Sequence, residues 1–175
     1  MRVAVTGTPG TGKTTATTLL EESDAIPAGF EAVHLNDVLE AEGFYTDVDA
    51  ERESKVADLE ALEGWLDGRD DLVVESHLAH HLPADRVAVL RCAPASLEER
   101  LLGRGESAAK ARENAESEAL DVILAEAVDQ HGLESVYEID TTDRPPEGVA
   151  ETLAAVVNGD REPSAGTVDF VGYLA

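Results

Sequence analysis

The chain has 175 residues, one cysteine, and 37 Asp plus Glu against 13 Lys plus Arg, for a formal net charge of −24. That length suits one domain with a buried core, and no apolar run reaches the roughly 18 residues that would span a membrane. Cys92 has no partner for an internal disulfide, and the chain opens on a strand-like run and not on a charged-then-apolar leader, so a cytoplasmic location is expected.

RVAVT, near the start, is rich in β-branched residues and reads as a first strand. It stops at GTPGTGKT, residues 7–14, which fits G-x-x-x-x-G-K-[ST]. Glycines here let the backbone curl so that successive N–H groups face an anion. KTTATTLLEE then reads as a helix, whose positive end also favours phosphate. In that context Gly10 and Gly12 shape the cradle, and Lys13 reaches the β- and γ-phosphates. The Thr14 hydroxyl ligates Mg²⁺, and Thr15 offers a hydroxyl near the α-phosphate. Nucleoside triphosphate binding follows from the motif together with its strand–loop–helix setting.

AVHL, residues 32–35, reads as a second strand, and NDVLEAEG as a helix capped by Asn36 or Asp37. Residues 43–54 read as irregular and polar. VADLEALEGWLDG reads as a helix with Val56, Leu59, Leu62 and Leu66 on its apolar face. DLVVES is a third strand. It ends on Glu75, where a P-loop enzyme places the carboxylate that holds Mg²⁺; the alternative is a solvated strand-end acid. His77, His80 and His81 follow. Their spacing hints at a metal site, but zinc sites usually take four ligands and no cysteine is near, so zinc is disfavoured. His77 fits a role facing phosphates or orienting a water, against the alternative of local packing.

RVAVLR is a fourth strand, and Cys92 beside it reads as buried filler. SLEERLLGRG reads as a helix capped by Ser96, with Glu99 in the capping-box position. Arg100 and Arg104 stand one turn apart on it, on one face. Arginines closing over a phosphoryl group stabilise its spreading charge. Gly103 and Gly105 flank Arg104 and permit a tight turn, so this segment reads as a lid, with Lys110 a further candidate; the alternative is a pair of solvated arginines. Residues 107–131 read as one long helix ending at Gly132, SVYEID as a fifth strand, and PEGVAETLAAVVNG as a helix from Pro146 to Gly159. The tail DREPSAGTVDFVGYLA is expected to dock by its apolar end. Strands alternating with helices give an α/β fold: a P-loop NTPase with a five-stranded parallel sheet flanked by helices. Chemistry is then expected in the loops after the strands: 7–15, 36–54, 75–82, 92–113 and 140–145.

GTPGTGKTT, ESHLAHHLP, VLRC, ERLLGRG followed by KARENAESEALDVIL, and EIDTT together resemble the adenylate kinase isoenzyme 6 family, in its archaeal branch, nearly end to end. The resemblance implies a single nucleoside monophosphate kinase-like domain over 1–175, with an NMP-binding region at about 34–56 and a short lid at about 103–113. It implies phosphoryl transfer from ATP to AMP with ATPase activity, and ATP and Mg²⁺ as cofactors. It also implies action in maturation of the small ribosomal subunit, with ribosomal protein uS11 as partner. ATP contacts would come from Gly10, Gly12, Lys13, Thr14, Thr15 and, from the lid, Arg104. His77 falls in the family's acid-x-His segment, with Glu75 where eukaryotic members have Asp.

Two departures concern the monophosphate. Ordinary adenylate kinases carry DGFPR after the third strand, and its arginine holds that phosphate; this chain has ESHLA. Glu40 stands at a position that is basic in some members. Arg52 and Arg91 are the remaining candidates for that contact. Beside the kinase stands a second expectation, an ATPase switch in ribosome assembly, and a third, a kinase for another small metabolite.

The acids are spread along the chain among Ala and Val and not gathered in a tail. That pattern fits a surface adapted to high salt; a merely acidic protein is the alternative. A −24 chain is repelled by RNA phosphates at low salt, so a basic protein is the expected ribosomal contact and naked RNA is not. At about 1 M salt the Debye length shrinks to about 3 Å and the self-repulsion is screened. Melting temperature should therefore climb steeply between low and molar KCl. A flat profile would remove the salt-adaptation account.

Overall fold

The computed structural model describes residues 1–49 and 54–175. Five strands form one parallel sheet in the order β2-β5-β1-β6-β7: β1 Arg2–Thr6, β2 Glu31–His34, β5 Leu72–Glu75, β6 Arg86–Arg91 and β7 Val136–Asp140. Two more, β3 Tyr45–Asp49 and β4 Ser54–Ala57, pair antiparallel as a separate ribbon. The helices are α1 Lys13–Glu21, α2 Leu35–Glu42, α3 Leu59–Leu66, α4 Pro94–Gly103, α5 Ala108–Ala119, α6 Val122–His131 and α7 Pro146–Asn158. Among the described residues no helix is long and apolar enough to cross a membrane.

Alternate residues of each strand feed two cores, one on each sheet face. Val3, Val5, Val73, Ala88 and Leu90 pack with Ala16 and Leu20 of α1 and Leu153 and Val157 of α7. Ala4, Val74, Val87 and Val89 pack on the other face with Leu39, Leu62, Leu66, Leu124 and Ala127, from α2, α3 and α6. Helices on both faces bury the sheet, which is why its strands read as near-continuous apolar runs. The carboxyl ends of all five strands then open at one edge, where the loops gather.

Several boundaries differ from the sequence expectation, each for a local reason. β2 ends at His34, and Leu35, fully buried, already opens α2, so neither Asn36 nor Asp37 caps it. Asp37 instead sits in the first turn, where its charge suits the helix dipole. Residues 45–49 and 54–57 form the ribbon, not an irregular loop. Residues 50–53, including Arg52, lie outside the described residues. Val56 belongs to that ribbon and is half-exposed, and α3 starts at Leu59 with the Asp58 carboxylate capping Ala61 N–H at 3.0 Å.

α4 begins at Pro94, two residues before Ser96, since proline at N1 needs no N–H partner. The long helix expected over 107–131 is two. Asp121 adopts a left-handed φ of 56° and separates α5 from α6. Asp tolerates that conformation, and with no Gly or Pro there the apolar spacing runs through the break unmarked. The tail does dock: the Tyr173 hydroxyl donates to Glu98 at 2.8 Å, and the Arg91 guanidinium stands 5.5 Å from the Phe170 ring centre.

Leu62 sits at the centre of the α3 contact with the sheet and is fully buried. Leu62→Ala should cost about 2–5 kcal/mol in urea unfolding monitored at molar KCl. A loss below about 0.5 kcal/mol would place this helix outside the cooperative core.

Candidate active site

The loop between β1 and α1 is fixed by its glycines. Gly10 and Gly12 hold left-handed φ values of 92° and 93°. A Cβ on Gly7 would meet the Leu90 carbonyl oxygen at 2.4 Å, and one on Gly10 would meet Leu97 of α4 at 2.9 Å. The loop is thus wedged between β6 and the helix that carries Arg100 and Arg104. Gly12 precedes α1 with no side-chain cap, leaving the first helical N–H groups for an outside acceptor.

Lys13, only 8% exposed, folds back so that Nζ donates to the Thr8 carbonyl at 3.0 Å. Burial lowers its pKa to about 8, against the pull of Glu75 and Glu118 toward the charged form. A polyanion beside it would restore the ammonium. The Thr14 hydroxyl lies 3.3 Å from both Glu75 oxygens. Glu75 is 5% exposed and also meets His34 Nδ1 at 2.8 Å, because the β2–β5 register sets those two residues side by side.

These groups share one cavity of about 500 Å³. Gly10, Gly12, Lys13, Thr14, Thr15, Glu75, His77, Arg100 and Arg104 all line it, with Pro9 and Asn36. Every sequence-marked candidate of the phosphate loop, strand end and arginine helix is therefore in one place. Arg100 is anchored, donating to the Gly10 carbonyl at 3.4 Å and the Thr141 carbonyl at 3.2 Å. Arg104 is exposed at the end of α4, and its guanidinium makes no hydrogen bond or ion pair among the described residues. His77 edges the cavity. Crowding by its surroundings, then the Lys13 ammonium, lowers its pKa to about 4, so its ring is neutral at pH 7. Lys110 pairs with Glu106 at 3.4 Å and does not line the cavity. Glu40 also lies outside it, accepting from Tyr45 Oη at 2.8 Å with Lys55 Nζ at 3.6 Å.

Arg91 is unavailable to a monophosphate. It is 1% exposed and committed to three carboxylates, Glu118, Glu138 and Asp121. That cluster contains a residue with no role of its own legible in the sequence, although it falls in the KARENAESEALDVIL stretch. Glu118, on α5, accepts from Thr8 Oγ1 of the phosphate loop at 2.6 Å, from Arg91 Nε at 2.8 Å and from the Cys92 N–H at 3.0 Å. Thr141 is a second such residue: its hydroxyl lies 3.1 Å from the Thr11 carbonyl and 2.9 Å from that of Arg91. Cys92 is buried, as expected, and burial raises its thiol pKa.

Comparison with known proteins decides the family. An AAA domain model matches residues 3–121. A Natronomonas pharaonis protein named "Putative adenylate kinase" is 59% identical over 99% of this chain and its own full length. A protein of the same name from Halobacterium salinarum is 57% identical over 99% of this chain and all of its own, and one from Pyrococcus abyssi is 40% identical over 97% and 91%. The chain belongs to this archaeal adenylate kinase family. Solved structures support the fold alone. The shikimate kinase of Bacteroides thetaiotaomicron has TM-score 0.59 at 15% identity over 90% of this chain and 98% of its own. A sugar kinase from Janibacter sp. gives 0.56 at 18% over 90% and 94%.

In this family member the phosphate loop leans on Glu118 as well as on its glycines. Glu118→Ala would leave the Arg91 charge short of a partner and the Thr8 hydroxyl without its acceptor. It should cost about 3–5 kcal/mol in denaturant unfolding. Thr8→Val removes only the link to the loop. It should weaken ATP binding by about tenfold, measured by calorimetry, while changing stability by under about 2 kcal/mol.

Proposed function

We propose that this protein transfers the γ-phosphoryl group of ATP to AMP. The observation that carries the proposal is the single cavity in which the phosphate loop, Lys13, the Thr14–Glu75 pair, Arg100 of α4 and Arg104 just past its end converge. The names of its relatives point the same way. The loop N–H groups of 7–15 and Lys13 hold the triphosphate, with Gly10, Gly12, Thr14 and Thr15 around it. Thr14 and Glu75 would hold Mg²⁺. A hydroxyl beside a buried carboxylate is the hard oxygen donor set that ion takes. When bound, the ion supplies charge neutralisation at the β- and γ-oxygens.

The monophosphate oxygen attacks the γ-phosphorus in line, and the bond to the β–γ bridging oxygen breaks to release ADP. Arg100, already seated on the loop, and Arg104, without a partner among the described residues, offset charge on the transferred group; with Lys13 and His77 they are the catalytic residues. His77, neutral, accepts a hydrogen bond or orients a water. The segment 34–56 is the monophosphate side, with Asn36 facing the cavity, and 103–113 is the lid. Glycines on both sides of Arg104 give the lid its turn.

A second activity is favoured by one feature. Among the described residues, the Lys and Arg side chains lining the cavity are Lys13, Arg100 and Arg104, all on or beside the phosphate loop and α4. ESHLA and α2 contribute no arginine, and the second reading is that AMP is then held weakly enough for water to compete as acceptor. That supports an ATPase switch acting in small ribosomal subunit maturation, with the basic ribosomal protein uS11 as the contact through which an acidic, cytoplasmic, salt-adapted protein reaches the ribosome.

The test is ADP formation from Mg-ATP in molar KCl, with and without AMP, beside phosphate release. Strong AMP dependence with little free phosphate is expected. Phosphate release that ignores AMP would leave the switch alone. Lys13→Ala should abolish both reactions, and Arg104→Ala should lower kcat by about 10²-fold or more with the fold intact.

A further inference from the structure

The three histidines after β5 part company in the folded chain. His77 edges the nucleotide cavity, whereas His80 and His81 turn toward α6 with ring centres 4.1 Å apart. There Glu126 brings Oε2 to 2.9 Å from His80 Nε2 and 3.9 Å from His81 Nε2. One donor atom from each of the three lies within 4.8 Å of the others. With tetrahedral bonds of about 2.0–2.1 Å, neighbouring donors stand about 3.3 Å apart, between those two separations.

The outward-facing nitrogens matter as much. A metal-binding imidazole keeps its other nitrogen protonated and donating to an acceptor. His80 Nδ1 lies 2.8 Å from Thr6 Oγ1, which itself lies 3.3 Å from the His77 carbonyl. The chain His80 Nδ1–H to Thr6 oxygen, and Thr6 O–H to the His77 carbonyl, satisfies every member and leaves Nε2 with a lone pair. His81 Nδ1 lies 3.0 Å from the Gln130 amide. With that amide turned so its oxygen faces the ring, His81 Nε2 is likewise a lone-pair donor. His131 Nε2 fixes the His80 carbonyl at 2.7 Å, holding the turn against α6.

We propose that His80, His81 and Glu126 bind one divalent transition-metal ion, Zn²⁺ foremost, at a site separate from the nucleotide cavity. Two imidazoles and a carboxylate are a zinc donor set. His80 is 1% exposed and closes one side; the Glu126 side chain, 44% exposed, leaves the other open for water as fourth ligand. The bound ion staples the 79–81 turn to α6. Through Thr6 it steadies the strand end from which the phosphate loop departs. The histidine spacing hints at a site but does not complete it, because the third ligand comes from a helix far along the chain.

The probe is Co²⁺, then Zn²⁺ in competition, titrated into the full chain in molar KCl with excess Mg²⁺ to occupy surface carboxylates. One Co²⁺ per chain with a four-coordinate visible spectrum is expected, unchanged by saturating Mg-ATP. Glu126→Gln, nearly isosteric, and His81→Ala, at a partly exposed position, should each raise Kd at least tenfold. Both should leave the metal-free melting temperature within a few degrees of the parent. Absence of saturable binding, binding that both variants leave unchanged, or displacement by Mg-ATP would each overturn the assignment.

Discussion

Arg91 and Glu118 hold the two halves of the site together. The arginine stands at the carboxyl end of β6 and the glutamate on α5, and both are almost fully buried. An ion pair taken out of water is tolerated only when nearly all its donors and acceptors are met. Here they are. One Glu118 oxygen serves Arg91 and the Cys92 N–H, the other serves Thr8, and Arg91 spends its remaining donors on Glu138 and Asp121. Glu138 in turn accepts the Thr167 N–H at 2.6 Å and so draws in the tail. The phosphate loop, β6, β7, α5 and the C-terminal tail are therefore one electrostatic unit.

That unit explains a contrast in charge. The chain carries −24 overall, yet among the described residues its cavity is lined by Lys13, Arg100 and Arg104 against one acid, Glu75. Molar salt screens exposed charges over about 3 Å but acts much less on partly buried groups. A strongly acidic chain and a phosphate site built from short buried contacts can then work under the same conditions. Surface repulsion is relieved by the solvent, and the site keeps its attraction for a polyphosphate.

Much of this was legible in the sequence because it depends on local spelling. The phosphate loop needs glycine at positive φ and close approach, and only one stretch spells that. Four of the five sheet strands are buried apolar runs bounded by turn residues, and the gathering of the loops at one edge follows from a parallel sheet. The β3–β4 ribbon was not legible, since YTDVD and SKVA are short and rich in polar residues, with no apolar period to read. The break at Asp121 lacked a Gly or Pro. Glu118 and Glu126 looked like any acids on amphipathic helices; their roles come from partners on other elements. Arg91 shows the converse, for a lone basic residue at a strand end looks available until its three carboxylates are in view.

The central claim is that one cavity holds both nucleotides, with ATP phosphates in the loop and the acceptor phosphate reached from the α2 side. Calorimetric titration of a bisubstrate analogue, two adenosines joined by five phosphates, in molar KCl with Mg²⁺ addresses it directly. One analogue per chain, bound at least a hundredfold more tightly than ATP, is the predicted result. An affinity no better than that of ATP, or two analogues per chain, would mean that the acceptor half of the site is not built.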